Sequence, residues 1–361
     1  MASETLFEPI PPFPDDVPTA SITTISLGAL RAGDDVAARS LLDACKNLGF
    51  FLLDLRGDEL GEAMGTDIDQ LMGEAGREIM GLSTEAKEQY HVDIAKGCFE
   101  GYKIRGIGKT ETNQPDRFEW FNIGEDGLVD EAATPPLPVV VQQQLPLIRS
   151  YVARGKAVAA TIHRTLAVQL GLPADAFASF IGGPEDGSNG SSAASRSALR
   201  LMKFDPSRSA GEMRTSLRPH TDLGVMTLLA NIMGGLQILA PGSAASDPAG
   251  WLWVRPKPRH LVVNIGDTMV EWTGGLLRSN THRVNYAPGE QRLVDRYSMA
   301  FFLKPKKEAS MRNLLGQERE GGVVDMTFGQ WEIKKTLAFA SDQADSIVNR
   351  RDANGQQRNC V

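Results

Sequence analysis

The chain holds only five histidines, His91, His163, His220, His260 and His282, so the search for imidazole chemistry is short. His220 and Asp222 are separated by Thr221 alone, and in an extended segment side chains two residues apart point to the same side. An imidazole and a carboxylate so placed can chelate one ion. His282 follows later, in Ser279-Asn280-Thr281-His282-Arg283-Val284, which reads as the start of another strand. Two imidazoles and one carboxylate on one face of a metal leave the other face open, the arrangement that suits Fe(II) in oxygenases. A His-x-Asp by itself turns up by chance in roughly a quarter of chains of this composition. Its neighbourhood decides: Arg296 and Ser298 lie two apart in a strand-like run soon after His282. An isolated arginine is a surface residue about two times in three, but a buried guanidinium beside a hydroxyl makes a bidentate carboxylate site. The other histidines read as structural, His163 among them, since it shares a helical run with Ile162 and Leu166.

The elements that must position these groups are legible from pattern. Residues 1–21 carry Pro9, Pro11, Pro12, Pro14 and Pro18 and predict an extended arm. Residues 22–181 form an N-terminal helical and β region: a helix from Asp34 to Leu48 stopped by Gly49, a buried strand at Phe50 to Leu53, and a long helix from about Asp58 to Met80. A hairpin between Gly101 and Gly124 and a helix from Pro138 to Leu170 complete it. Residues 182–198 are dominated by Gly and Ser and predict a loop. From 199 to 305, short runs rich in Leu, Val, Ile and aromatics alternate with Pro, Gly, Asn and Asp, the texture of a sandwich or jelly roll. Residues 306–361 hold a last helix around Phe328 to Leu337 and a polar tail.

Composition narrows the partners. With 38 Lys+Arg against 45 Asp+Glu, a net charge of -7 and no basic run, nucleic acid is not an expected partner. Apolar stretches fall short of the ~18 residues a bilayer requires, so no membrane partner is expected either. Three scattered cysteines without a C-x-x-C point to a reducing, cytoplasmic setting. Oligomeric state has no signature in the sequence.

The segments Arg218-Pro219-His220-Thr221-Asp222, Gly234-Gly235-Leu236-Gln237-Ile238, Val263-Asn264-Ile265-Gly266-Asp267, Ser279 to Val284 and Arg296-Tyr297-Ser298 follow one another in a telling order. In that order the chain resembles the isopenicillin N synthase-like family of Fe(II)/2-oxoglutarate-dependent dioxygenases. Ile22 to Asp54, Gly101-Tyr102 and Phe118-Glu119-Trp120-Phe121 extend the resemblance to roughly residues 20 to 340. It implies a mainly β fold with flanking helices, a double-stranded β-helix (cupin-like jelly roll) behind an N-terminal α/β region. It also implies Fe(II) on His220, Asp222 and His282, and 2-oxoglutarate anchored by Arg296 and Ser298. O2 would be consumed, with succinate and CO2 released. Where many members carry Asn-x-Tyr before the metal motif, this chain has Met202 and Phe204, which lacks the hydroxyl. Either Arg296 and Ser298 hold the co-substrate carboxylate alone beside Phe204, the favoured reading, or the pocket is altered and 2-oxoglutarate binds more weakly or not at all.

By family position the substrate walls would be Tyr102, Phe121, Ile123, Leu223 and Phe302. That mainly apolar set suits a small natural-product-type molecule of secondary metabolism, open to hydroxylation, desaturation or ring rearrangement. Three other readings stay open at this point. One is an oxidase of the same fold, using Arg296 for a substrate carboxylate and no 2-oxoglutarate. The others are a non-catalytic cupin-like binding module and, remotely, a zinc hydrolase.

Overall fold

The computed structural model describes residues 6–92, 100–108, 110, 114–125, 128, 136–181, 197–207, 215–316 and 325–336. The Gly/Ser-rich segment expected at 182–198 lies outside them except for Ser197 and Ala198, as does the tail past 336. Twelve strands occur among these residues: β1 (Thr24–Ser26), β2 (Phe50–Asp54), β3 (Gly101–Lys103), β4 (Phe118–Gly124), β5 (Ala198–Phe204), β6 (Leu217–His220), β7 (Met226–Asn231), β8 (Leu236–Leu239), β9 (Trp251–Trp253), β10 (His260–Ile265), β11 (His282–Val284) and β12 (Arg296–Leu303). They form an eight-stranded sheet in the order β1-β2-β10-β7-β12-β5-β4-β3 and a four-stranded sheet in the order β6-β11-β8-β9. Every pairing is antiparallel except β1 with β2. This is the jelly roll that the strand texture predicts, extended by N-terminal strands.

Local chemistry explains the elements around it. The helix Asp35–Asn47 starts where the Asp34 side chain accepts the Ala37 N–H at 2.8 Å. It ends at Gly49, whose φ of 73° turns the chain into β2; a Cβ there would meet the Arg278 carbonyl oxygen at 2.2 Å. β2 is apolar on both faces because it lies inside the large sheet, between β1 and β10. The long helix expected from Asp58 to Met80 is broken: Glu59–Gln70 and Gly76–Met80 are joined by a π turn, Leu71–Ala75. Val139–Gln169 is a single helix with Leu166, Ile162 and Val158 fully buried on the sheet-facing side. The arm runs along the minor sheet, where Ala20 and Pro18 exchange backbone hydrogen bonds with Trp253.

Alternation along the strands of the large sheet separates two environments. Leu199, Leu201, Leu228, Val263, Met299 and Phe301 face the helices in the main core. The opposite face meets the minor sheet, with Phe118, Trp120, Met202, Phe204 and Ala300 against Val284 and Leu217. Among these apolar residues the inner face also carries Asn264, Thr227, Asn231, Arg296, Ser298, Arg200 and Asn122. Inside a barrel these polar side chains must be hydrogen-bonded, and they bond to one another and to Asp222.

Candidate active site

The two imidazoles converge because of strand register. His282 on β11 stands opposite His220 on β6 in the antiparallel ladder, and their ring centroids are 4.3 Å apart. Asp222, just past the end of β6, brings Oδ1 to 3.8 Å from His220 Nε2 and 3.9 Å from His282 Nε2. Possible ligand atoms of all three residues lie within 4.8 Å of one another.

Each donor is oriented from behind. His220 Nδ1 donates to the Arg218 carbonyl at 2.8 Å and His282 Nδ1 to the Asn280 carbonyl at 3.2 Å. A carbonyl only accepts, so both rings keep the proton on Nδ1 and offer the Nε2 lone pair to the cluster. Asp222 Oδ2 accepts from Thr227 Oγ1 at 2.6 Å and Asn264 Nδ2 at 2.8 Å, which leaves Oδ1 for a metal. Burial, joined by His282, pushes the His220 pKa down to about 4, so the ring is neutral as a ligand must be. Burial alone would raise the Asp222 pKa, but the imidazoles and its two hydrogen bonds outweigh this and hold it below the ordinary value. A neutral, neutral, anionic donor set of this kind fits Fe(II).

Arg296 on β12 is 4% exposed, and no carboxylate pairs with it among the described residues. Its Nε donates to the Gly234 carbonyl at 2.8 Å, one terminal nitrogen to Ser298 Oγ at 3.0 Å and the other to Asn231 Oδ1 at 3.1 Å. A guanidinium has five N–H donors, so one remains on each terminal nitrogen. Ser298 accepts from Arg296 and keeps its own O–H to donate. Burial lowers the Arg296 pKa to about 9, which still leaves it charged at neutral pH. Gly235 permits this packing: its φ is 120°, and a Cβ there would lie 2.8 Å from Arg296 Nε. Phe204, directly opposite Arg296 in the β5–β12 ladder, places its ring 4.8 Å from the guanidinium carbon. Phe204 therefore faces the Arg296 guanidinium, as a cation–π support.

The expected substrate walls need correction. Tyr102, Phe121 and Ile123 lie on the helix-facing side of the hairpin, in the main core. The Tyr102 hydroxyl is bonded there to Glu119, whose carboxylate also pairs with Lys87 Nζ at 3.1 Å. Strand alternation is the reason, since Phe118, Trp120 and Asn122 take the inner face of β4. Leu223 packs against the same main core. Only Phe302 of the five belongs with the inner cluster. The strands instead bring Trp120, Asn122 and Arg200 to the inner face, positions that counting alternate residues from Phe118 and Phe204 would have given. Glu119 is an ion-pair partner, and His163 is buried at 6.0 Å from the Phe177 ring, neither near the cluster.

A jelly roll with two histidines and one carboxylate converging inside it defines the class of non-haem metal-dependent oxygenases. The family model of the 2OG-Fe(II) oxygenase superfamily matches residues 196–305, and that of the non-haem dioxygenase in morphine synthesis N-terminal region matches residues 22–141. A 2-oxoglutarate-dependent dioxygenase of Aspergillus fumigatus is 30% identical over 353 residues, covering 89% of this chain and 86% of its own. The 2-oxoglutarate-dependent dioxygenase frbH of a Dothideomycetidae species is 29% identical, covering 83% and 87%. Among solved structures, a full-length Neurospora crassa protein in complex with alpha-KG and thymine superposes with a TM-score of 0.70 at 21% identity, over 90% of this chain and 98% of that one. JOX2 in complex with 2OG, Fe and JA superposes with a TM-score of 0.66 at 25% identity, over 90% and 87%. The chain belongs to the 2OG-Fe(II) oxygenase superfamily. It is a 2-oxoglutarate-dependent dioxygenase, an oxidoreductase whose cofactor is Fe(II) and whose co-substrates are 2-oxoglutarate and O2. No helix among the described residues is long and apolar enough to cross a membrane.

Proposed function

We propose that His220, Asp222 and His282 hold the Fe(II), and that Arg296 and Ser298 bind the far carboxylate of 2-oxoglutarate with Phe204 backing the guanidinium. The observation that carries this reading is the pair of N–H donors left on Arg296 beside the free Ser298 hydroxyl, buried on the same sheet face as Thr227 and Asn264. Bound Fe(II), with 2-oxoglutarate and O2, supplies an oxidant able to attack unactivated C–H bonds, with succinate and CO2 as co-products. What the chain contributes is position and dryness. The oriented Asp222 and histidines fix the reacting centre, and the inner apolar residues exclude water from it.

The substrate on this reading is a small, mainly apolar natural-product-type molecule lying against Trp120, Met202 and Phe302. Small organic molecules, thymine and JA, accompany two of the similar structures and support that size class. Hydroxylation, desaturation or ring rearrangement then depends on which C–H bond is held nearest the metal. A reducing, cytoplasmic setting fits three scattered cysteines without a C-x-x-C. The test is succinate release by iron-loaded protein. The proposal expects release that needs Fe(II) and disappears in Asp222→Ala, while release untouched by that substitution contradicts it.

A further inference from the structure

Arg200 on β5 is a second inward-facing guanidinium, and the roles above do not use it. Its Nε donates to Asn122 Oδ1 at 2.7 Å, and its terminal nitrogens donate to no described residue. Its plane is gripped by two rings: the guanidinium carbon lies 4.4 Å from the Trp120 ring and 4.8 Å from the Phe302 ring. Across the ladder its neighbours are Asn122 and Ala300. Ala300 offers only a methyl group and no hydrogen-bonding partner to the arginine. Arg200 shares its sheet face with Thr227 and Asn264, the residues that hold the Asp222 carboxylate, so it looks into the same chamber as the metal cluster, and the charge of Asp222 is felt there. The other nearby cation, Lys103, is already paired with Asp116 and bonded to the Phe118 carbonyl at 3.0 Å. Arg200 has no such carboxylate and retains some accessible surface.

Holding a guanidinium in an aromatic, largely desolvated wall is unfavourable unless an anion completes it. The side chain is also pre-set, because its Nε is tied and its faces are stacked, so little freedom is lost when the remaining N–H groups bind. We infer that Arg200 is the specificity anchor for a carboxylate on the prime substrate, which is therefore a small carboxylic acid with an apolar body. That body lies along Trp120, Met202 and Phe302, and the carboxylate end is held away from the bond presented to the metal. One unpaired cation, with Asp222 close by, matches a monoanion better than a phosphate. The inference rests on the barrel interior being the substrate chamber and names the class of molecule it accepts.

The test uses matched probes, 3-phenylpropionate and its primary amide, in equilibrium dialysis under argon against protein carrying Fe(II) and saturating 2-oxoglutarate. The expected result is that the acid binds about tenfold or more tightly than the amide. Arg200→Gln should erase that preference and Arg200→Lys should keep part of it. The visible 2-oxoglutarate chelate band, recorded on the same samples, reports folding and the co-substrate site separately. A missing band in wild type indicts the co-substrate assignment, while the acid-over-amide preference still judges Arg200. Equal binding of acid and amide, no binding of either, or a preference that survives Arg200→Gln would overturn the inference. So would loss of the chelate band in Arg200→Gln together with loss of acid binding in Arg296→Leu, which would exchange the two arginines' roles.

Discussion

Arg296 and Phe204 stand directly opposite each other in the ladder of β5 and β12, with the guanidinium carbon 4.8 Å from the ring centre. The ring covers one face of a buried cation whose edge is tied to Gly234, Ser298 and Asn231. Flat stacking of this kind is worth about 0.5–2 kcal/mol in a desolvated setting. Phe204→Leu should therefore weaken 2-oxoglutarate binding by roughly two- to thirtyfold, as read by anaerobic titration. Unchanged affinity would show that the ring does nothing for the anion site.

Gly235 tests the same site from the other side. Gly235→Ala forces a side chain into left-handed backbone and against Arg296 Nε. We expect a loss of about 1–3 kcal/mol in stability. A further weakening of 2-oxoglutarate binding should accompany it, while Fe(II) still binds. Wild-type thermal stability and co-substrate affinity in this variant would contradict the packing described.

Thr227 and Asn264 aim the Asp222 carboxylate without touching a metal. Supports of this kind typically change metal affinity by about ten- to a hundredfold. Thr227→Val should lower Fe(II) affinity within that range, and Asp222→Ala should abolish stoichiometric binding. Calorimetric titration under argon reads both. An unaltered affinity in Thr227→Val would mean that Asn264 alone orients the carboxylate.

His163 offers a pH test away from the site. It is buried with Nε2 unpaired, and burial lowers its pKa to about 4 from an ordinary 6.5. The unfolded chain therefore takes up this proton first. Stability is unaffected by His163 above about pH 7, falls as pH drops through 6.5, and stops falling from this cause below about 4. Between pH 7 and pH 5 the loss is about 2 kcal/mol. In His163→Gln that component of the pH slope should be missing from urea denaturation curves; an identical slope would place the acid sensitivity elsewhere.

Much of this architecture was written in local pattern. Gly49 after the helix Asp35–Asn47, the run Phe50 to Leu53, and Leu236–Leu239 stand where turn chemistry and apolar spacing place them. The convergence of His220, Asp222 and His282 was legible because only Thr221 separates the first two and histidine is scarce. β6 has no apolar alternation to reveal it, since Leu217–His220 contains arginine and proline, and only the spacing of His220 and Asp222 hints at an extended segment there. The π turn at Leu71–Ala75 was equally silent, since its composition suits an ordinary helix. The substrate walls failed for a different reason. Tyr102, Phe121 and Ile123 were chosen by family position, and the period of two along β4 sends them to the helix side, leaving Trp120 and Asn122 to face the barrel.

The most direct measurement is anaerobic titration of the Fe(II)-loaded protein with 2-oxoglutarate, following the visible charge-transfer band of keto-acid chelation. The account predicts a saturable band in wild type, with Arg296→Leu needing about a hundredfold more 2-oxoglutarate or showing no band. Stoichiometric iron without a band in wild type, or a band with wild-type affinity in Arg296→Leu, would contradict it.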